Sequence, residues 1–162
     1  MRDYQTLTME FDPVCDAHSR ILILGSFPSP KSREAHFYYG HPRNRFWQVI
    51  AALTGEQIPK TIEEKKFLLL SHGIAVWDVI GRCDIIGSSD SSIRNVIPAR
   101  IPELLEGTEI RRIFTNGGTA LRLYDRYILP KTGIPAGRLP STSPANARMD
   151  LPALISAWKV IL

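Results

Sequence analysis

The chain has 162 residues, 44% of them hydrophobic and 22% charged, which is enough apolar material for a real core and argues against disorder. No apolar run approaches the roughly 20 residues that a spanning helix needs, and the first twenty residues hold no continuous apolar stretch, so a soluble, cytoplasmic protein without a membrane partner is expected. Cys15 and Cys83 cannot build a disulfide framework or a four-cysteine cluster, and His18, His36, His41 and His72 lack metal-ligand spacing, so the expectation is metal-free chemistry without a cofactor.

The net charge of +4 is unevenly placed. Residues 25–47 hold Lys31, Arg33, Arg43 and Arg45 against Glu34 alone, and residues 137–149 hold Arg138 and Arg148 against no acid. Both segments suit a phosphate-facing surface, although a plain solvated surface has the same composition.

No repeat or long linker interrupts the chain, so one domain over residues 1–162 is expected. Ile21 to Leu24 is the first strand, closed by Gly25 and the turn Ser26-Phe27-Pro28-Ser29-Pro30. After a loop, Pro42 suits the first turn of a helix with the apolar stripe Phe46, Trp47, Val49, Ile50 and Leu53, and Gly55 follows its end. Thr61 and Glu64 make a capping box for a second helix with Phe67 to Leu70 as its apolar end and Gly73 as its stop. Ile74 to Ile80 reads as the second strand, and the serine-rich stretch 81–98 as a long irregular loop. A short helix is expected over 102–106, a third strand over 111–115, a helix from Thr119 to Tyr127 and a fourth strand over 137–141. Asp150 then caps a final helix ending near Ile161.

Strands alternating with helices predict a three-layer α/β/α domain around a central four-stranded, mostly parallel sheet. In such sheets ligands sit outside the carboxyl ends of the strands. Those ends read Gly25-Ser26-Phe27-Pro28, Trp77-Asp78, Asn116-Gly117-Gly118 and Ser141-Thr142-Ser143-Pro144-Ala145-Asn146, with the two charge-rich segments beside the first and the last. A site on this rim is expected.

The most specific string is His41-Pro42-Arg43-Asn44-Arg45-Phe46-Trp47. Phe46 and Trp47 read as core, whereas Arg43, Asn44 and Arg45 in a first helical turn would favour a nearby anion. Taken with Ile23-Leu24-Gly25-Ser26-Phe27-Pro28, with Tyr39-Gly40 before it, and with Leu139-Pro140 leading into Ser141 to Asn146, this string resembles the motifs of the uracil-DNA glycosylase superfamily. The likeness is greatest to its hypoxanthine-DNA (deoxyinosine) branch, and extends to the mismatch-specific enzymes.

The resemblance implies hydrolysis of the N-glycosidic bond of a damaged base flipped out of DNA, leaving an abasic site. The implied partner is damaged duplex DNA, with single strands left open, and a monomer is expected. Where many relatives carry a water-positioning Asn or Asp in the first motif, this chain has Phe27, and by the resemblance Asn44 takes over, orienting the water or binding the departing base. Ser141 stands in the place of the uracil-specific histidine. Ser26, Phe27, Tyr39, Trp77, Asp78 and Asn116 form the implied base pocket, with Tyr39 stacking on the base. Thr142, Ser143, Pro144, Ala145 and Asn146 form the loop that enters the duplex, and Ser29, Lys31, Arg43, Arg45 and Arg148 face phosphates. Core packing for Tyr39, a turn or cap for Asp78, and an ordinary β-to-α connection for 142–146 remain open.

Three other activities compete with hypoxanthine removal. A mismatch-specific uracil or thymine glycosylase is disfavoured by Phe27 and Ser141. A non-catalytic nucleic-acid-binding module would show the same two losses. A nucleotide hydrolase would act on free nucleosides with little need for Arg43, Arg45 or Arg148.

Overall fold

In the computed structural model, which describes residues 3–87 and 89–162, the apolar run at 21–25 lies in the interior of the sheet and is buried along its whole length. The strands are β1 (Gln5–Thr8), β2 (Ile21–Gly25), β3 (Ile74–Asp78), β4 (Ile80–Ile85), β5 (Arg94–Pro98), β6 (Arg112–Asn116) and β7 (Ala136–Leu139). The helices are α1 (Pro30–Ala35), α2 (Phe46–Thr54), α3 (Ile62–Ser71), α4 (Ile101–Leu105), α5 (Gly118–Tyr127), α6 (Leu129–Thr132) and α7 (Leu151–Trp158). A central four-stranded sheet has the order β3-β2-β6-β7 and is parallel throughout.

Successive side chains on a strand point to opposite faces, and this divides the core in two. Ile21, Ile23, Ile74, Val76 and Phe114 join Val49 and Ile50 of α2, Leu68 and Leu69 of α3, and Leu154 and Trp158 of α7. Leu22, Leu24, Ala75 and Ile113 pack on the other face with Ile101 of α4, Leu123 and Tyr124 of α5, and Ile80, Cys83 and Ile85 of β4. Each fully buried aliphatic side chain contributes roughly 1.5–3 kcal/mol, so the alternation within β2 alone holds both outer layers to the sheet. The architecture is the expected three-layer α/β/α. Among the described residues, no helix is long and apolar enough to cross a membrane.

Several local features differ from the sequence reading. The stretch 81–98, expected to be irregular, supplies most of β4 and all of β5, and in a second sheet of order β1-β4-β5 the central β4 pairs antiparallel with both neighbours. Register shifts at Ile80/Arg82 and Arg82/Asp84 break the period-2 pattern, and β1, the other partner of β4, pairs with it across 74 to 80 residues of chain, so no local signal marks these strands. Ser29-Pro30 is a helix start as well as a turn: Ser29 Oγ accepts from Ser32 N at 3.1 Å and caps α1. The apolar end of α3 is narrower than expected, because Leu68 and Leu69 are buried while Phe67 is 74% exposed.

Helix α2 begins at Phe46, four residues after Pro42. Residues 41–45 turn instead, with Asn44 N donating to His41 O at 2.9 Å and Arg43 N to His41 Nδ1 at 3.0 Å. Asn44 Oδ1 accepts from Phe46 N at 3.0 Å, an Asx-type local bond that competes with the first helical turn. Asn44 therefore stands ahead of the helix, free to face the sheet rim.

Candidate active site

A cleft of about 890 Å³ opens at the carboxyl ends of the central strands. Gly25, Ser26, Phe27, Tyr39, Asn44, Asp78, Asn116 and Ser141 to Ser143 all line it, together with Ala145 and Asn146. Parallel register brings these residues together, since Gly25 pairs with Asp78 and Asn116 with Leu139 at the sheet's edge. Two glycines are required here. A Cβ on residue 25 would stand 2.5 Å from Asp78 Oδ1, and Gly117 has φ 95°, a conformation that side chains disfavour, at the start of α5.

One wall of the cleft is a closed hydrogen-bond network. Thr142 is fully buried, and its Oγ1 donates to Asn44 Oδ1 at 2.8 Å while accepting from Asn116 Nδ2 at 3.0 Å. Thr142 N donates to Asn116 Oδ1 at 3.1 Å, and Arg45 N to Thr142 O at 3.1 Å. Ser141 Oγ accepts from Ser143 N at 3.1 Å, which leaves its hydroxyl hydrogen to donate elsewhere. Trp158 Nε1 donates to Pro140 O at 2.9 Å, so the last helix also braces this loop.

The floor of the cleft is the opposite. Asp78 is 4% exposed, its Oδ2 has no hydrogen-bond partner, and the buried Tyr39 hydroxyl beside it has none either. Burial pushes the Asp78 carboxyl up to about 7. Burial, and then the neighbouring Asp78 charge, raise the Tyr39 phenol. Tyr39 is held at φ 53°, in the left-handed region, with its ring stacked on Phe46 at a centroid distance of 4.0 Å. A strained, non-glycine residue with an unmatched buried hydroxyl in a cleft is a mark of function.

Several expected site residues are engaged otherwise than expected. Trp77 does not line the cleft; strand alternation turns it away from Asp78, and its ring packs on the apolar clusters. Arg45 is not a free phosphate ligand. Its guanidinium donates to the carbonyls of Met149, of Ser143 at 2.9 Å and of Asn146 at 3.0 Å, so it splints the 143–149 loop to the start of α2. Ser29 spends its hydroxyl on capping α1, and Lys31 pairs with Glu34 at 3.4 Å. Thr142 is buried inside the network and does not project from the loop tip, which Pro144 and Ala145 expose. Asn146 donates from Nδ2 to Ser141 O at 3.0 Å, while Arg43 and Arg148 are exposed.

Two cleft residues were not singled out from the sequence. Arg33 lines the cleft with a buried Nε that has no partner, and the Arg138 guanidinium lies over Gly118. Both belong to the two basic segments, whose charge was the available signal. Which of the arginines face inward depends on the C-terminal turn of α1 and on the β6–β7 pairing.

Known proteins share this fold. A family model described as the uracil DNA glycosylase superfamily matches residues 12–159. The chain belongs to the uracil DNA glycosylase superfamily. A hypoxanthine DNA glycosylase of Methanosarcina acetivorans is 35% identical over 141 residues, covering 86% of this chain and 89% of the relative. A hypoxanthine DNA glycosylase of Methanosarcina barkeri is 36% identical over 86 residues, covering 52% of this chain and 54% of that one. The solution NMR structure of an M. acetivorans protein, provisionally assigned as a uracil DNA glycosylase, superposes with a TM-score of 0.79 at 31% identity and covers 97% of this chain and 99% of its own. The family assignment thus rests on a shared fold as well as on sequence similarity.

Proposed function

We propose that this DNA glycosylase removes hypoxanthine from DNA by simple hydrolysis, with Asn44 as its principal catalytic group. The observation that carries the reading is the position of Asn44: the turn at 41–45 brings its carboxamide into the cleft wall, at a rim whose first motif has only Phe27 to offer. The relatives' names favour hypoxanthine, and the floor suits it. A protonated Asp78 carboxyl donates and accepts side by side, the complement of the O6 and N1–H edge of that base.

In the reaction the C1′–N9 bond breaks with its electron pair going to the base. A water oxygen bonds to C1′ and keeps one of its hydrogens as the new hydroxyl, while the other water proton ends on the base. Preorganised neutral groups serve both ends of the step: the Ser141 hydroxyl can stabilise the departing anion, and Asn44 orients the water or binds that anion. Phe27 and Tyr39 supply apolar and aromatic walls, and Asn116 completes the pocket. Among the described residues, no lysine lines the cleft, which agrees with hydrolysis over a Schiff-base route. Pro144 and Ala145 are the exposed wedge beside the flipped nucleotide, with Ser143 and Asn146 behind them and Lys31, Arg43 and Arg148 toward the phosphates. A monomer acting on duplex DNA needs no further component.

The test is base release from labelled duplexes carrying deoxyinosine, deoxyuridine, deoxyxanthosine or a G·T mismatch, followed by alkali. Cleavage at deoxyinosine is expected, and Asn44→Ala should lower its rate by roughly 10² to 10³. Duplex binding with no cleavage of any substrate would leave a non-catalytic DNA-binding module as the better account.

A further inference from the structure

Asn44, Thr142 and Asn116 come from three separate segments, yet the two carboxamides are each oriented by a backbone group that can only donate. Phe46 N–H points at Asn44 Oδ1 (3.0 Å) and Thr142 N–H at Asn116 Oδ1 (3.1 Å), so neither carboxamide can be reversed without setting an NH2 against an N–H. Asn116 then presents Nδ2 to Thr142 Oγ1 (3.0 Å), and the Thr142 hydroxyl hydrogen has Asn44 Oδ1 as its acceptor at 2.8 Å. Proton direction along the chain is therefore unambiguous, from Asn116 through Thr142 to Asn44.

The consequence falls on Asn44. Its oxygen already accepts two hydrogen bonds, which occupy both lone pairs. An amide in that state cannot also hold a hydrogen of the attacking water. What remains at the cleft is its NH2, a donor.

We propose that Thr142 is a positioning residue of the reaction: its buried hydroxyl, oriented by Asn116, holds the Asn44 carboxamide so that the NH2 meets the departing base and donates to the negative charge that develops there. This rests on the glycosylase reading above and narrows it, because it assigns Asn44 to the leaving group and not to the water. The β-branched side chain of Thr142 restricts χ1, and the Arg45 N–H bond to its carbonyl ties its backbone to the turn that carries Asn44.

The experiment measures single-turnover release at saturating enzyme from duplexes containing deoxyinosine or 8-aza-2′-deoxyinosine, whose base leaves as the more stable anion. Thr142→Val is expected to lower the deoxyinosine rate by roughly 10- to 100-fold, as losses of orienting partners do elsewhere, while duplex affinity changes little. Thr142→Ser, which keeps the hydroxyl, should stay within about threefold of wild type, since rescue by the conservative side chain marks positioning and not packing. Asn116→Asp is the second route. Its carboxylate lacks the donor that orients Thr142 and draws the hydroxyl proton away from Asn44, so a similar loss is expected even if Thr142→Val folds poorly. In Asn44→Ala and in both relay variants the deficit should shrink on the 8-aza substrate.

Equal deficits on the two substrates would overturn the donor role. Near-normal rates in Thr142→Val and Asn116→Asp, beside an inactive Asn44→Ala, would overturn the positioning role while leaving the glycosylase reading intact. No base release by the wild type would remove both.

Discussion

The two halves of the cleft are built on opposite principles. In the wall formed by residues 44–46, 116 and 141–149, most polar atoms already have partners: Arg45 serves three carbonyls, Thr142 three partners and Asn44 two donors. On the floor, Asp78 Oδ2 and the Tyr39 hydroxyl are buried with no partners at all. Buried polar groups normally find hydrogen bonds, and leaving one without costs about 1–3 kcal/mol. The wall thus defines a geometry in advance, and the floor describes by its gaps the ligand that would complete it.

The contrast has a measurable form: side chains removed from the wall should cost stability, and side chains neutralised on the floor should not. The largest effect is expected at Asp78. Its carboxyl, ordinarily near 3.8, is pushed up to about 7 by burial, so between these values the folded state holds more protons than the unfolded chain. Stability then falls as pH rises through this window and is lowest above it. With each pKa unit equivalent to about 1.4 kcal/mol, Asp78→Asn should gain up to roughly 4 kcal/mol at pH 8 and clearly less at pH 5, as read by urea unfolding at the two values. Because Asn also donates and accepts, hypoxanthine release by this variant should lose its decline above neutral pH. A stability gain independent of pH would show that the carboxyl is not the cause.

Arg45→Ala is the matching change in the wall and should destabilise by about 2–3 kcal/mol, since three carbonyls lose a charged donor. Thermal unfolding would show it, and the salt dependence of duplex binding should keep its slope, because this guanidinium is not spent on phosphate. Tyr39→Phe is gentler. Unfolding free energy should change by less than about 0.5 kcal/mol, since no hydrogen bond is lost, while affinity for the deoxyinosine duplex falls by roughly tenfold if the hydroxyl meets the base. Smallest is Arg43→Ala, which should leave stability unchanged and lower the salt slope of binding by about one phosphate contact.

Much of this molecule was legible in the chain. The apolar runs in β2, β3 and β6, the short segment that became β7, the helical stripes between them and the turn residues after them are local signals, and they were sufficient for a parallel three-layer fold. The rim strings also pointed to Asn44, Tyr39, Asp78 and Ser141, which the fold gathers into one cleft. What stayed hidden was of two kinds. The β1-β4-β5 sheet depends on pairing between distant segments and on bulges that erase the period, so no window of sequence contains it.

The roles of the polar side chains were hidden for a related reason. An arginine reads the same whether it faces phosphate or three carbonyls, and a threonine the same whether it probes DNA or orients an amide. Residue type and spacing determine which groups are present at the rim. Only the packing of three separate segments decides which of their donors and acceptors satisfy one another, and which are left for a ligand, because the hydrogen bonds are made across space between residues 26 to 98 positions apart.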